Sequence, residues 1–296
     1  MKLPHSFLKG IKRGTPLRDL TTFRIGGPAQ AFVEPADAGE LAGLLKQCGA
    51  AGIPVRVIGA GSNILASDKG VAGVLVRLSA PFFRSARARG NRIECGAGLA
   101  LPALLRLCRA RGLTGAEFLA GIPGSVGGAL AMNCGVAVGG ATRSIGDIVE
   151  QVTVARYNGV SRVIDGARAG FGYRRSGLSR YVIVSAVFKL RKSTGALVGR
   201  RLREWMDKRR GQEYRYPSAG CVFKNPRGRS AGALIDACGL KGARAGGAMI
   251  SGKHANFIVN TGRASCADVL SLMRRARRAV KRKYGIALEP EIKLWK

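Results

Sequence analysis

Acidic residues are scarce in this 296-residue chain: Asp and Glu total 17 against 50 Lys and Arg, leaving a formal charge of +33. The direct implication is attraction to polyanions, with nucleic acid first. Aromatics are also few, at 6%, and the basic clusters at residues 84–92, 200–210 and 274–283 lack the regular interleaving of rings that a base-stacking surface needs. The charges are spread along the chain, as arginine filling solvated faces would be. Non-specific polyanion contact is therefore a secondary property, and no specific nucleic-acid partner is expected.

Long hydrophobic runs are missing as well. Stretches such as residues 181–188 fall far short of the ~20 residues of a membrane span, and residues 1–5 show neither an apolar core nor a cleavage signal. There are two histidines, and the seven cysteines (48, 95, 108, 134, 221, 238 and 266) form no C-x-x-C pair. Neither a disulfide framework nor a metal site is suggested, and a reducing cytoplasm is the expected compartment.

Glycine is what the chain has in quantity, with 43 residues. The densest stretch is Gly121-Ile122-Pro123-Gly124-Ser125-Val126-Gly127-Gly128-Ala129, followed by Asn133 and Gly135. It reads as a loop and not as a helix or strand interior, because glycine admits positive φ and close backbone approach while proline removes a donor. Its flanking Leu130-Ala131-Met132 suggests burial, and a buried glycine loop brings bare N–H groups to a ligand, most often a phosphate. A second turn, Gly59-Ala60-Gly61-Ser62-Asn63, follows the apolar segment 54–58. This is where α/β folds receive phosphates, yet no helix with a third glycine follows, so the dinucleotide fingerprint is absent.

The remaining pattern is α+β. Residues 21–23 suit a short extended piece and 31–34 a brief strand. Asp37 opens a helix with Glu40 as capping-box partner. Strands are expected at 54–58, 74–78 and 92–95, and a helix at 101–111. Asn158-Gly159 marks a hairpin between 147–157 and 160–164, and 172–177 reads as a polar loop before the strand 181–190. A boundary falls near 192–195. Beyond it come a basic helix (196–210), a small-residue loop (217–226), a helix (231–238) and a strand (256–260). Ser265 then caps a long helix with Val269, Leu272, Met273, Ala276 and Val280 as its buried stripe. The tail 288–294 is strand-like.

In chain order, T-T-F-R-I-G-G, G-A-G-S-N, G-I-P-G-S-V-G-G-A with N-C-G, Y-R-R-S, P-S-A-G-C-V-F-K-N-P, H-A-N-F-I-V-N and L-E-P-E-I-K resemble the UDP-N-acetylenolpyruvoylglucosamine reductase (MurB) family over residues 21–294. Few residues separate Tyr173 from Tyr181, which is similar to the form lacking an extra tyrosine loop. The resemblance implies a two-part FAD-binding PCMH-type region over 1–192 (about 1–78 and 79–192). It also implies a smaller α+β substrate-binding domain over 199–285, and a tail, 286–296, that returns to the first part. It further implies a monomer with non-covalent FAD, NADPH as hydride donor, and a UDP-sugar enolpyruvyl ether as substrate.

The implied reaction delivers hydride from the flavin to the enolpyruvyl β-carbon and a proton to the α-carbon. Arg174 matches the family residue that stabilises the enolate; its neighbour Arg175 is the alternative by composition alone. Cys221 stands where the family's proton donor, usually serine, stands. Glu291 matches the tail glutamate, with Glu289 the competing assignment. Lys224, Asn225 and Tyr173 correspond to substrate contacts. Gly59, Ala60, Gly61, Ser62 and Asn63, together with Gly121, Ile122, Pro123, Gly124, Ser125, Gly127, Gly128, Ala129 and Asn133, correspond to the FAD site. No metal is implied. The rival readings are a flavin oxidase on the same FAD domain and a basic nucleic-acid-binding protein on a non-catalytic scaffold.

Overall fold

The computed structural model describes residues 10–138, 141–209, 211–213 and 215–296, with the side chains of 137, 138 and 141 left aside. His5 and Arg210 lie outside the described residues. The chain forms two compact units. The first comprises residues 1–12, 32–60 and 73–210; the second comprises 13–31, 61–72 and 211–296. The second unit thus gathers two short segments from the N-terminal half around the C-terminal third.

In the first unit, Ser161–Asp165, Val149–Ala155, Val182–Lys189, Arg92–Gly96 and Ala86–Arg89 form a five-stranded antiparallel sheet in that order. The hairpin signal at Asn158-Gly159 is realised with a wider loop than two residues. Pairing closes at Ala155↔Ser161, and Gly159 takes φ 85° behind the Arg156–Gly159 turn. Val55–Ile58 runs parallel to Val71–Arg77, with Val55 opposite Val74. The helix Ala38–Ala50 starts at Asp37, whose carboxylate accepts from the Glu40 N–H at 2.9 Å. Glu40 departs from a true capping box, because its carboxylate accepts from Ala36 N–H rather than from the cap residue. Leu101–Ala110 buries Leu101, Leu104, Leu105 and Cys108 along one face, as a 3.6-residue period requires.

The glycine stretch departs from the sequence reading. Residues Val126–Ala131 are helical, and Gly127 and Gly128 lie inside the turn. Packing overrides propensity here: a Cβ on Gly127 would lie 2.9 Å from the Ala97 Cβ, so the helix seats against residue 97 only with glycine at that position.

In the second unit, Ser218–Cys221, Phe257–Asn260, Ala248–Ile250 and Arg244–Ala245 form an antiparallel sheet in that order. The expected loop at 217–226 is therefore partly a strand. Phe23, Ile25 and Leu65 join the core this sheet makes with the helices Ala231–Asp236 and Cys266–Tyr284. Residues 21–23 are a turn and not an extended piece: Arg24 N–H donates to Thr21 O at 3.1 Å, and Arg24 holds φ 55°. The tail pairs Lys293–Trp295 in parallel with Ile64–Ala66.

The helix Cys266–Tyr284 is the element most fully specified by its sequence. Val269, Leu272, Met273, Ala276 and Val280 are buried, Ser265 and Asp268 close a reciprocal capping box, and Gly285 ends the helix at φ 71°. The Asp68 carboxylate also accepts from the Cys266 N–H at 2.9 Å, in keeping with the positive end of the helix. Loss of the cap in Ser265→Ala is expected to lower unfolding free energy by about 1 kcal/mol. Urea denaturation checks this, and an unchanged midpoint would mean that Asp268 and Asp68 suffice.

Candidate functional site

Each unit carries its own set of candidate residues. In the first, the two glycine segments meet: a Cβ on Gly59 would strike Ser125 Oγ, with the Gly128 Cα 4.0 Å away. Several N–H groups of the longer stretch serve the protein itself. Val126 N–H donates to Leu99 O at 2.9 Å, Gly127 N–H to Ala97 O at 2.8 Å, and Gly128 N–H to Ser125 Oγ at 3.4 Å. The stretch is also less buried than its composition suggests, since Pro123 and Gly128 are exposed. Gly59, Ser125 and Gly128 thus stand close together, with no side chain at Gly59 or Gly128 between them. Ile122 donates its N–H to Leu119 O, and Ala129 to Ser125 O, so both hold the turn in shape. Ala60 continues the exposed rim beyond Gly59.

Gly61, Ser62 and Asn63 belong to the second unit. Gly61 takes φ 65°, and any Cβ there would fall on Leu20 O and Thr21 Cα. Asn63 donates its amide to Glu291 O at 3.3 Å, and its carbonyl accepts from Lys293 N–H at 2.8 Å. The residue assigned to cofactor binding thus also tethers the tail.

Asn133, at φ 43°, is 6% exposed and braces two loops. Its amide donates to Gly172 O at 3.0 Å and accepts from Gly146 N–H at 2.9 Å. Beside it opens a cavity of about 420 Å³ whose lining includes Ser144, Asp147, Phe171, Tyr173 and Arg174. Arg174 holds φ 55°, donates Nη1 to Gly135 O at 2.9 Å, and lies with Cζ 5.3 Å from the exposed Tyr173 ring. Arg175 differs. It is exposed, and its side chain folds back over Gly172, where a Cβ would come within 2.7 Å of its Nε. Arg174 is thus the member of the pair that faces the cavity.

A further arginine was not distinguishable by sequence. Arg209 Cδ lies 2.7 Å from where a Gly121 Cβ would stand, and its Nη2 donates to Phe118 O at 3.4 Å. Nothing in a stretch already dense with arginine marks it out, and it lies in the turn after the helix Gly195–Asp207 rather than within it. Burial pushes the Cys134 thiol up to about 12, against the opposing pull of Arg174 and Arg209.

In the second unit, Cys221 ends its strand at a bulge. Register shifts between Ser218↔Val259 and Cys221↔Phe257, with Gly220 at φ 73°. The Thr22 hydroxyl holds the start of this strand by donating to Ser218 O at 2.7 Å. Beyond Cys221 the backbone meets the tail: Glu291 N–H donates to Val222 O at 2.8 Å, and Lys224 N–H to Glu289 O at 2.9 Å. Cys221 and Glu291 are therefore brought onto adjoining segments. Glu289 has a partner of its own. Its side chain is 72% exposed and accepts from Lys224 Nζ at 2.8 Å, which holds its carboxyl below the ordinary range. Asn225 accepts from Ala231 N–H at 3.0 Å, at the start of the helix Ala231–Asp236. His254 is structural in its contacts: Nδ1 accepts from Asn256 N–H, and burial lowers its pKa.

Residues 212–295 match the family described as UDP-N-acetylenolpyruvoylglucosamine reductase, C-terminal domain, and residues 29–164 match an FAD binding domain. A UDP-N-acetylenolpyruvoylglucosamine reductase 2 of Symbiobacterium thermophilum is 43% identical over 96% of this chain and 92% of its own length. The chain belongs to the UDP-N-acetylenolpyruvoylglucosamine reductase family. A relative from Moorella thermoacetica bearing the same family name is 41% identical over 95% of this chain and 91% of its own. The crystal structure of MurB from Thermus caldophilus superposes with a TM-score of 0.83, at 41% identity, over 97% of this chain and 99% of that one. A solvent-stable cholesterol oxidase shares the fold at 20% identity and a TM-score of 0.51, over 64% of this chain and 40% of its own. Membership makes the protein an oxidoreductase with a two-part FAD-binding region and a smaller C-terminal domain. The residues present suit FAD: no side chain could stand at Gly59 without striking Ser125 Oγ, and bare backbone is what a diphosphate-bearing cofactor approaches. Among the described residues, no cluster of His, Cys, Asp and Glu could hold a metal ion. Among the described residues, no helix is long and apolar enough to cross a membrane.

Removing Lys224 should release the Glu289 carboxyl. In Lys224→Met its pKa is expected to rise toward the ordinary carboxylate value, as read by NMR titration. Because the folded pKa is depressed, the pair's small contribution to stability is present at neutral pH and disappears as pH falls through the folded value. An unmoved Glu289 titration would show that the ion pair does not set it.

Proposed function

We propose that this protein reduces the enolpyruvyl ether of UDP-N-acetylglucosamine to UDP-N-acetylmuramate, a step of peptidoglycan precursor synthesis, with NADPH as reductant. It would act as a cytoplasmic monomer. Bound FAD supplies the chemistry of accepting hydride from NADPH and passing it to the β-carbon of the enolpyruvyl group. Gly59, Ser125 and Gly128 would hold its diphosphate against bare backbone, with Gly121 and Asn133 shaping the surrounding loops.

The chain's own residues then meet two needs. Negative charge grows on the substrate carboxylate and α-carbon, and a proton must reach that carbon. Arg174, fixed through Gly135 O and lining a cavity, is suited to the carboxylate because a guanidinium donates two parallel bonds. Cys221 is the proton donor, and a thiol is a stronger acid than the hydroxyl usual at this place in the family (reference pKa about 8.5 for free cysteine). Glu291, on the segment bonded to Val222, assists the carboxylate and the proton relay. Tyr173, Lys224 and Asn225 would contact the nucleotide-sugar, which for Lys224 means exchanging its ion pair with Glu289.

The observation that supports this reading most is the backbone bond from Glu291 to Val222, which sets the two acid-bearing residues on adjoining segments. Purified protein should be yellow, should bleach anaerobically with NADPH, and should oxidise NADPH in proportion to added UDP-N-acetylenolpyruvoylglucosamine. Cys221→Ala should bleach normally yet turn over the sugar about 10²–10⁴-fold more slowly, the range of general-acid catalysis. Cys221→Ser should recover most of that loss. Substrate-independent NADPH oxidation with bound flavin would point to the flavin-oxidase reading instead, and undiminished turnover by the alanine variant would remove Cys221 from the mechanism.

A further inference from the structure

The strand end that carries Cys221 needs support that the regular sheet does not give. Pairing between Ser218–Cys221 and Phe257–Asn260 is interrupted by the bulge, and Gly220 stands in the left-handed region with open space where a Cβ would be. Past the bulge the chain must turn so that residues 222–224 can meet the tail. The polar contacts made at this turn converge on a single buried side chain.

Asn256 is 2% exposed. Its Oδ1 accepts from Phe223 N–H at 3.0 Å, and its Nδ2 donates to Phe223 O at 2.8 Å. Its main-chain carbonyl accepts from Val222 N–H at 2.9 Å. The amide thus substitutes for a strand neighbour, satisfying both polar groups of one residue as a paired backbone would. On the other edge the same three residues meet the tail through Val222 O, the Phe223↔Pro290 bridge and Lys224 N–H. Asn256 is itself held by His254 Nδ1, which accepts its N–H at 3.2 Å.

We infer that Asn256 is a positioning residue for the reaction: it locks the segment 222–224, and through it sets both the direction of the Cys221 thiol and the register of Glu291. It touches neither substrate nor cofactor. The inference rests on the proposed roles of Cys221 and Glu291, and on a geometry that needs no ligand. Replacing Asn256 leaves the Phe223 N–H and C=O buried without their partner, so the segment must shift to recover hydrogen bonds. Substitution at a distance from the chemistry then acts on proton delivery rather than on cofactor loading.

The test compares Asn256→Ala, Asn256→Asp and the core truncation Leu272→Ala, a control that loses stability in the same core without removing a hydrogen bond of residues 222–224. The first readout is the rate at which iodoacetamide alkylates Cys221, followed by peptide mapping of FAD-loaded protein without substrate. The second is the split between flavin bleaching by NADPH and turnover of the sugar, with its solvent isotope effect. Asn256→Ala is expected to change the Cys221 alkylation rate at least fivefold, to leave bleaching within twofold, to slow turnover at least tenfold and to raise the isotope effect. Asn256→Asp keeps the acceptor for Phe223 N–H and should be intermediate in thiol reactivity. Should Leu272→Ala change these readouts as much as Asn256→Ala, or should Asn256→Ala leave thiol reactivity unchanged, the positioning role is refuted. If the wild-type protein fails to turn over the sugar at all, the proposed function has failed, while the alkylation series still decides whether Asn256 orients Cys221.

Discussion

The short antiparallel contact between residues 222–224 and 289–291 is the interaction on which the second unit's chemistry depends. Two backbone bonds, Glu291 N–H to Val222 O and Lys224 N–H to Glu289 O, join segments far apart in sequence. Neither segment is a long strand that could hold its course alone. Asn63 and the parallel pairing of Lys293–Trp295 with Ile64–Ala66 fix the tail from one side. Asn256 fixes the bulged strand from the other. The sheet and the helix Cys266–Tyr284 supply the apolar base beneath them, so the reactive edge is irregular while its support is regular.

The first unit solves a different problem. Its glycine segments bring backbone to backbone, but much of their hydrogen-bonding capacity is spent on holding the turn to residues 97–99. Gly59, Ser125 and Gly128 stand together beside that turn. Arg174 stands on a loop tied to the end of the glycine stretch by its own bond to Gly135 O and by the brace at Asn133.

Much of this was legible in the sequence, for identifiable reasons. The helix Cys266–Tyr284 could be read residue by residue, because its apolar stripe, cap and terminal glycine all agree. The family motifs singled out Arg174, Cys221 and Glu291 as candidates. Local composition misled at Val126–Ala131, where tight packing against Ala97 makes glycine a helical residue. It misled again at Ser218–Cys221, where small residues form a strand because Phe257–Asn260 offers an edge to pair with. Glu289 and Glu291 share one face by a period-two reading, and the chain alone gave no sign that Glu289 pairs with Lys224. Arg209 and Asn256 act through contacts across the fold, and no spacing in the chain announces such contacts.

The most direct measurement is the position of solvent deuterium in the product. With NADPH as reductant in D₂O, the account predicts one deuterium at the α-carbon of the new lactyl ether. An α-carbon without deuterium would contradict delivery of that hydrogen as a proton from an exchangeable protein acid, the role given to Cys221.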